Sequence, residues 1–396
     1  MDRTRAALQE AIQTNAEFQN IIVNLKLENK LKNRRKIDSL NQYKPKKKQE
    51  ILADIQKIML EIIQSIITER TPKIKIRNQK CWTNCVYKDN RLKMLDDGEN
   101  LELKFSTLKS LDEFALIVHL LGKIYVLLST NQICNKRELY YQDVEFVGNQ
   151  KRIDNAVDRI SCLLNVPPWE LGILATSKGL VAGPLKIITS SGRSVTDCDV
   201  QGGALIPQDV EYCMKLETEA EFVILIEKDT IFQKLLDENF LEHHGPCLLV
   251  TGKGVPDMNT RVLVKCIHEQ LSLPIFMLTD ADSYGIEIMS VYRFGSLNLS
   301  HLADALAVPT ILWLGIHPSD LQELNPNTEQ LSQMDIRKAH SLLRRPYMST
   351  NGQLYEQIKL LLKLNKKSKI ENIGNISNCY LTDVYIPLKI ITKQFI

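Results

Sequence analysis

Three runs constrain this chain more than any other feature: Phe222-Val223-Ile224-Leu225-Ile226, Leu248-Leu249-Val250 and Ile275-Phe276-Met277-Leu278. None contains a polar residue, and each is short enough to be a strand. Between them lie two stretches of helical periodicity, Thr230 to Phe240 and Thr260 to Leu271. Alternating strands and helices with continuously apolar strands predict a parallel sheet covered on both faces, because a sheet with one wet face would alternate polar and apolar residues. Ligands of such sheets gather at the carboxyl ends of the strands. The first run ends at Glu227, the third at Asp280-Ala281-Asp282, so neighbouring strands would bring three carboxylates to one edge. Three carboxylates repel one another unless a cation sits among them. Mg2+ takes oxygen ligands and commonly bridges carboxylates to a substrate phosphate, so Glu227, Asp280 and Asp282 are the candidate metal ligands of a phosphoryl-transfer site.

The second run ends at Thr251-Gly252-Lys253-Gly254, which fails the phosphate-loop pattern because Gly254 stands where Ser or Thr is needed and no glycine stands at the first position. No ATP site is expected. Lys253 and the backbone amides of that turn are instead candidates for contact with a nucleic-acid phosphate.

Upstream, residues 73 to 185 read as helices ending in a short hairpin. Ser110 with Glu113 forms a capping-box pattern before Phe114, Ile117, Val118, Leu121 and Ile124. A second such pattern, Asn135 with Glu138, opens Asn135-Lys136-Arg137-Glu138-Leu139-Tyr140-Tyr141 and places Arg137 and Tyr141 four apart on one helical face. A phenol with a free pKa of about 10 is a weak nucleophile unless a cation or metal activates it. Paired tyrosines at a helix start are also common packing residues, so this stretch alone leaves both readings open. A further helix from Arg152 turns Ile153, Ala156, Val157, Ile160 and Leu164 inward and stops before Pro167-Pro168. Helices followed by a basic hairpin (Ile173-Leu174-Ala175, Ser177-Lys178-Gly179, Leu185-Lys186-Ile187) match a winged helix-turn-helix, with Lys178 in or near the wing as a DNA contact.

The flanks are less specific. Residues 1 to 50 are polar, with basic clusters at Arg34-Arg35-Lys36 and Lys46-Lys47-Lys48, and read as a partly disordered arm, either solvated or bound to phosphate. From Ile51 to Ile67, Leu52, Ile55, Met59, Ile62, Ile63 and Ile66 share one helical face that needs a partner surface. Residues 191 to 215 look like a connector with little core. The nine cysteines are scattered, no apolar leader opens the chain, and Cys81 and Cys85 lack a second ligand pair at zinc-finger spacing, so reduced thiols are expected. The most apolar segment, Ala115 to Leu128, is interrupted by His119 and Lys123 and falls short of the roughly 18 residues that span a bilayer. No membrane span is expected.

Five motifs in order carry a family resemblance: Arg137-Glu138-Leu139-Tyr140-Tyr141, Ser177-Lys178-Gly179-Leu180, Ile226-Glu227-Lys228-Asp229, Gly252-Lys253-Gly254-Val255-Pro256-Asp257 and Asp280-Ala281-Asp282-Ser283-Tyr284-Gly285. Together, from about residue 71 to the C-terminus, they resemble the A subunit of type IIB DNA topoisomerase (topoisomerase VI), most of all its eukaryotic branch that makes meiotic double-strand breaks. Trp313-Leu314-Gly315, Pro318-Ser319-Asp320 and Leu343-Arg344-Arg345-Pro346-Tyr347 extend the likeness. One departure is Glu138, where the family commonly has Asp; it keeps the charge.

The resemblance implies an α/β multidomain chain. Its parts would be a basic arm and amphipathic helix (1–70), a winged-helix (CAP-like) DNA-binding domain with the catalytic tyrosine (71–190), a connector (191–215), and a Toprim domain with a parallel sheet and C-terminal extension (216–396). It implies Tyr141 as nucleophile, Arg137 as phosphate clamp, Mg2+ at the three acids, and an active homodimer on double-stranded DNA. It also implies a B-type partner of the GHKL ATPase kind, expected at residues 51–67, and a nuclear setting. Meiotic double-strand-break formation is the expected function. Strand passage by an ATP-dependent topoisomerase and a non-catalytic DNA scaffold are the alternatives.

Overall fold

The computed structural model describes residues 2–37, 44–189, 195–210, 213–377 and 379–396. The chain divides into two compact units, one made of Tyr43–Thr176 and Gly295–Ala305, the other of Met1–Gln42, Ser177–Phe294 and Leu306–Ile396.

The first unit is mainly helical. Its core joins Ile51 and Ile55 of the Lys48–Ile67 helix, Ile117, Leu121 and Ile124 of the Leu108–Thr130 helix, Leu139 of the Lys136–Gln142 helix, and Ile153, Val157 and Ile160 of the Gln150–Leu164 helix. The apolar stripe expected on residues 51–67 is rotated: Ile51, Ile55 and Ile62 are buried, whereas Ile63 and Ile66 are exposed with Leu60 and Ile67. The capping box expected at Ser110 does not form. The helix starts at Leu108 behind Thr107, the Ser110 hydroxyl bonds the Lys104 backbone instead, and Glu113 pairs with Arg159.

The expected basic hairpin does not form either. Ile173–Leu174 pairs in parallel with Cys134–Asn135, Leu180–Ala182 joins the main sheet of the other unit, and Leu185–Thr189 is the middle of a three-stranded antiparallel sheet there. Lys178 therefore stands at the mouth of a strand in the second unit rather than on a wing. Each of these strands has non-local partners, which a local reading of alternation does not supply.

The second unit is built on a six-stranded sheet in the order Ala204–Leu205, Leu180–Ala182, Cys247–Thr251, Phe222–Ile226, Ile275–Leu278, Leu312–Gly315. The last four strands run parallel, and the first two are antiparallel additions at one edge. All residues of Phe222–Ile226, Cys247–Thr251 and Ile275–Leu278 are buried, which accounts for their unbroken apolar runs. Each buried Leu or Ile contributes about 1.5–3 kcal/mol of transfer free energy.

Residues 195–210 do more than connect. Val195–Asp197 and Ala204–Leu205 pair into two different sheets, and Cys198, Ile206 and Val210 are fully buried. The N-terminal segment is a helix, Asp2–Ile37, rather than a disordered arm. Phe18 and Ile22 lie buried in the core of the second unit, the Phe18 ring 5.5 Å edge-on from Phe222, and Asn29 Nδ2 donates to the Leu273 carbonyl at 3.2 Å. The side chains of Arg34-Arg35-Lys36 lie outside the described residues. Lys46 pairs with Asp54, and Lys48 Nζ donates to Asn131 at 2.6 Å, so part of the second basic cluster is occupied within its own unit. No described helix is long and apolar enough to cross a membrane, and Cys81, Cys85, Cys134, Cys162, Cys198, Cys247, Cys266 and Cys379 are free thiols.

Candidate active site

The helix Lys136–Gln142 is started by sequence-local chemistry. Asn135 Oδ1 accepts from the Glu138 amide at 2.9 Å, and Glu138 Oε2 accepts from the Asn135 amide at 2.9 Å, closing the capping box. This gives a physical reason why Glu is accepted at 138: its carboxylate closes the capping box on the Asn135 amide. Lys136 is drawn to Asp154 and Asp158 at 3.8 and 3.3 Å. Leu139 anchors the helix in the core, and half-buried Tyr140 packs against the same cluster. Tyr141 is 70% exposed, its ring 5.4 Å from that of Tyr140. Arg137, one turn earlier, is also exposed and has no ion pair or hydrogen bond among the described residues. A phenol and an uncommitted guanidinium thus share an open helical face. Behind the helix, His119 Nε2 lies 2.9 Å from Asp143 Oδ2, and Lys123 also pairs with Asp143; burial pushes that carboxyl up, but the Lys123 ammonium and the contact with His119 outweigh it and leave it below its usual range.

The acids are assembled by the sheet. The parallel register Ile226 to Leu278 sets Glu227 beside the end of the Ile275–Leu278 strand, with the Glu227 amide donating to the Leu278 carbonyl at 3.0 Å. The Asp280 amide donates to Glu227 Oε2 at 2.9 Å. Burial, reinforced by the charges of Asp280 and Asp282, pushes the Glu227 carboxyl up to about 7. Asp280 is also raised, chiefly by burial, against the pull of Lys228. Its Oδ1 accepts from the Ile370 amide at 2.9 Å, and its Oδ2 lies 2.8 Å from Lys228 Nζ. Asp282 is less buried, and its Oδ1 accepts from the Tyr284 and Gly285 amides at 2.8 and 2.7 Å, opening the Ser283–Phe294 helix. Gly285 is required there, because a Cβ would meet the Asp280 carbonyl oxygen at 2.5 Å.

Two candidate phosphate contacts meet at the same edge. Lys178 Nζ donates to the Lys253 carbonyl at 3.2 Å, Lys253 Nζ reaches Asp229 at 3.2 Å, and the Gly254 amide donates to the Glu227 carbonyl at 2.7 Å. Asp257 ties the two turns together by accepting from the amides of Lys178 (2.7 Å), Gly179 (3.2 Å) and Thr260 (2.7 Å). Gly179 sits so close that a Cβ would lie 2.1 Å from Thr260 Oγ1.

Among the described residues, no three His, Cys, Asp or Glu side chains close on one point as a finished metal cage. The donor set nonetheless fits a hard divalent cation. It consists of carboxylate oxygens, and the Glu227 carboxyl, raised first by burial and then by the charges of Asp280 and Asp282, stands where a cation would stabilise its ionised form. Mg2+ usually takes one or two carboxylates plus water and substrate phosphate, so a complete protein cage is not required.

Sequence reasoning missed Lys228 and Glu371. Lys228 stands next to a predicted ligand and could have been suspected as its counter-charge. Glu371 lies 143 residues further on, with no local signal to link it. The Trp313 and Pro318 motifs build the core: Asp320, buried, accepts from Lys389 at 2.6 Å and from the Tyr385 hydroxyl at 2.5 Å.

Residues 222–390 match the family model of the Toprim domain shared by Spo11 and the A subunit of topoisomerase 6, and residues 112–173 match that of type IIB DNA topoisomerase. The chain is 38% identical over 345 residues to meiotic recombination protein SPO11 of Mus musculus, covering 86% of this chain and 87% of that protein. It is 39% identical over 345 residues to the Homo sapiens protein of the same name, with the same coverage. It is 30% identical over 349 residues to the A subunit of DNA topoisomerase 6 from Arabidopsis thaliana, covering 86% of this chain and 80% of that one. With a Toprim domain on the sheet whose strand ends carry the acids, and relatives matched along most of its length, the chain belongs to the topoisomerase VI A-subunit/Spo11 family.

Proposed function

We propose that this chain is a topoisomerase-like DNA-cleaving transesterase that makes double-strand breaks through a 5'-phosphotyrosyl intermediate and so initiates meiotic recombination. The observation that carries the assignment of the nucleophile is the contrast within one helix: Tyr141 and Arg137 are exposed on one face while Tyr140 packs inward. The Tyr141 phenolic oxygen attacks a backbone phosphorus, the bond from phosphorus to the 3' oxygen breaks, and the proton lost by the phenol is balanced by one gained at the new 3'-hydroxyl. Arg137 offsets the charge of the phosphate. A divalent cation such as Mg2+, which Glu227, Asp280 and Asp282 would hold, supplies positive charge to the scissile phosphate and the leaving oxygen when bound. Lys178 and Lys253 steer the DNA backbone as point charges.

Cutting both strands of double-stranded DNA calls for two copies, and we assign each site a tyrosine from one protomer and acids from its partner. The helical unit serves as the DNA reader that carries the tyrosine, and the protein acts in the nucleus. The exposed face of the Lys48–Ile67 helix (Leu60, Ile63, Ile66 and Ile67) is the surface for a B-type partner of the GHKL ATPase kind. Replacing Ile63 and Ile67 together by Glu abolishes co-purification with that partner on this reading; undiminished binding would rule the surface out.

The nucleophile is tested by incubating the protein and its partner with DNA and Mg2+, denaturing, and mapping the tyrosine that carries nucleotide. Recovery on Tyr141, lost in Tyr141→Phe, is the expected result. Attachment that survives this substitution would sink the assignment.

A further inference from the structure

We infer that Lys228 is a resident counter-cation of the acid edge, which a divalent metal must displace from Asp280, and that Glu371 is the carboxylate that receives it. The inference rests on the reading of Glu227 and Asp280 as a divalent-cation site. Asp280 is 6% exposed, and both its oxygens are engaged. Oδ1 is held by the backbone amide of Ile370 at 2.9 Å, which cannot leave without moving the Ile370–Gly374 helix. Oδ2 faces the Lys228 ammonium at 2.8 Å. An ammonium and a divalent ion repel one another strongly at a buried oxygen, so the two compete for it. The lysine is the one that can move, because its charge rides on four rotatable methylenes.

Its destination is already in contact. Lys228 Nζ donates to Glu371 Oε2 at 2.8 Å, and Thr230 Oγ1 orients the other oxygen of that carboxylate at 3.3 Å. Glu371 is the more open of the two acids, with 39% of its side chain exposed against 9% for Asp280, so the lysine can shift toward solvent without losing its pair. The segment Ile370-Glu371 therefore does two things at once: its backbone orients Asp280, and its side chain takes the lysine. Asp280 is paired before metal arrives, and the edge opens to metal without leaving the lysine unpaired.

Calorimetric titration of the purified full chain with Mn2+ tests this, with thermal unfolding as the check on folding. Lys228→Met is expected to bind Mn2+ roughly tenfold more tightly, the order expected from removing a like charge at contact distance in a partly buried site. Glu371→Gln is expected to weaken binding severalfold when Lys228 is present and to have no effect in the Lys228→Met background, because it acts through the lysine. Unchanged or weaker binding by Lys228→Met overturns the proposal, as does an equal loss from Glu371→Gln in both backgrounds. Should Lys228→Met fail to fold, Glu371→Gln alone decides: affinity equal to that of the unsubstituted chain overturns the proposal. Glu227→Gln separates the two levels, since Mn2+ binding that it leaves unaltered removes the cation-site reading itself, whereas binding lost in Glu227→Gln but insensitive to Lys228 removes only the displacement.

Discussion

Tyr141 is 70% exposed and carries no hydrogen bond on its hydroxyl among the described residues, while Asp280 is 6% exposed and has both carboxylate oxygens engaged. The tyrosine helix is seven residues long, is started by its own capping box, and is anchored chiefly by Leu139. The acids stand on fully buried strands whose order places residues 53 apart in hydrogen-bond contact. The difference follows from what each must do. A nucleophile that attacks a large, stiff polyanion must be left open to it, so its seat is small and its neighbours are few. Carboxylates that are to hold a cation gain strength from low dielectric, so they are buried, and the sheet bears the strain of crowding them.

The comparison breaks most visibly at the tyrosines. Tyr141→Phe should reduce covalent DNA attachment by at least about 1,000-fold with little change in melting temperature, since the lost hydroxyl is exposed and unbonded. Tyr140→Phe should retain measurable attachment; equal loss in both, measured by trapping on labelled DNA, would erase the distinction drawn between the exposed ring and the packed one. Arg137→Ala should reduce attachment by about 100-fold, in line with loss of one transition-state charge contact, and should change stability by less than about 0.5 kcal/mol. A large drop in melting temperature would show that Arg137 is structural.

The acid edge should respond to pH rather than to access. The Glu227 carboxyl is raised from its ordinary value of 4.5 to about 7, so the folded state binds the proton more tightly than the unfolded one between those limits. Its contribution to stability is therefore present at low pH and is lost as pH rises through 7, by on the order of 3 kcal/mol. In metal-free protein, Glu227→Gln should gain stability relative to the parent as pH is raised from about 5 to about 7, as read by urea unfolding. A difference that stays flat across this range would show the Glu227 carboxyl to be better solvated than its burial indicates. The smallest expected effect returns to the tyrosine helix: Asn135→Ala should cost about 1 kcal/mol through loss of the cap, with thermal unfolding as the measure.

Legibility followed the range of the forces. The parallel sheet was readable because burial on both faces writes unbroken apolar runs, and the Asn135 capping box because its partners are three residues apart. Ser110 carried the same local pattern and misled, since the Lys104 backbone at the end of a strand competed for its hydroxyl. The wing misled for a similar reason: Ile173 and Leu180 begin short strands whose partners are distant, Leu185 begins one that pairs forward with residues 195–197 and 213–218, and alternation alone does not say which sheet a strand joins. The polar composition of the first 50 residues hid Phe18 and Ile22, whose side chains lie in the core of the second unit.

By itself, then, the sequence determined the chemistry available to this protein: a capped helix bearing Arg137 and Tyr141, and strands ending at Glu227, Asp280 and Asp282. These features are local, set by spacing along the chain and by the period of burial. Only the tertiary structure decided which tyrosine is open, that Lys178 belongs with Lys253 and Asp257, and that Lys228 bridges Asp280 and Glu371. Exposure and charge pairing depend on residues brought together from distant parts of the chain, and no local pattern encodes that meeting.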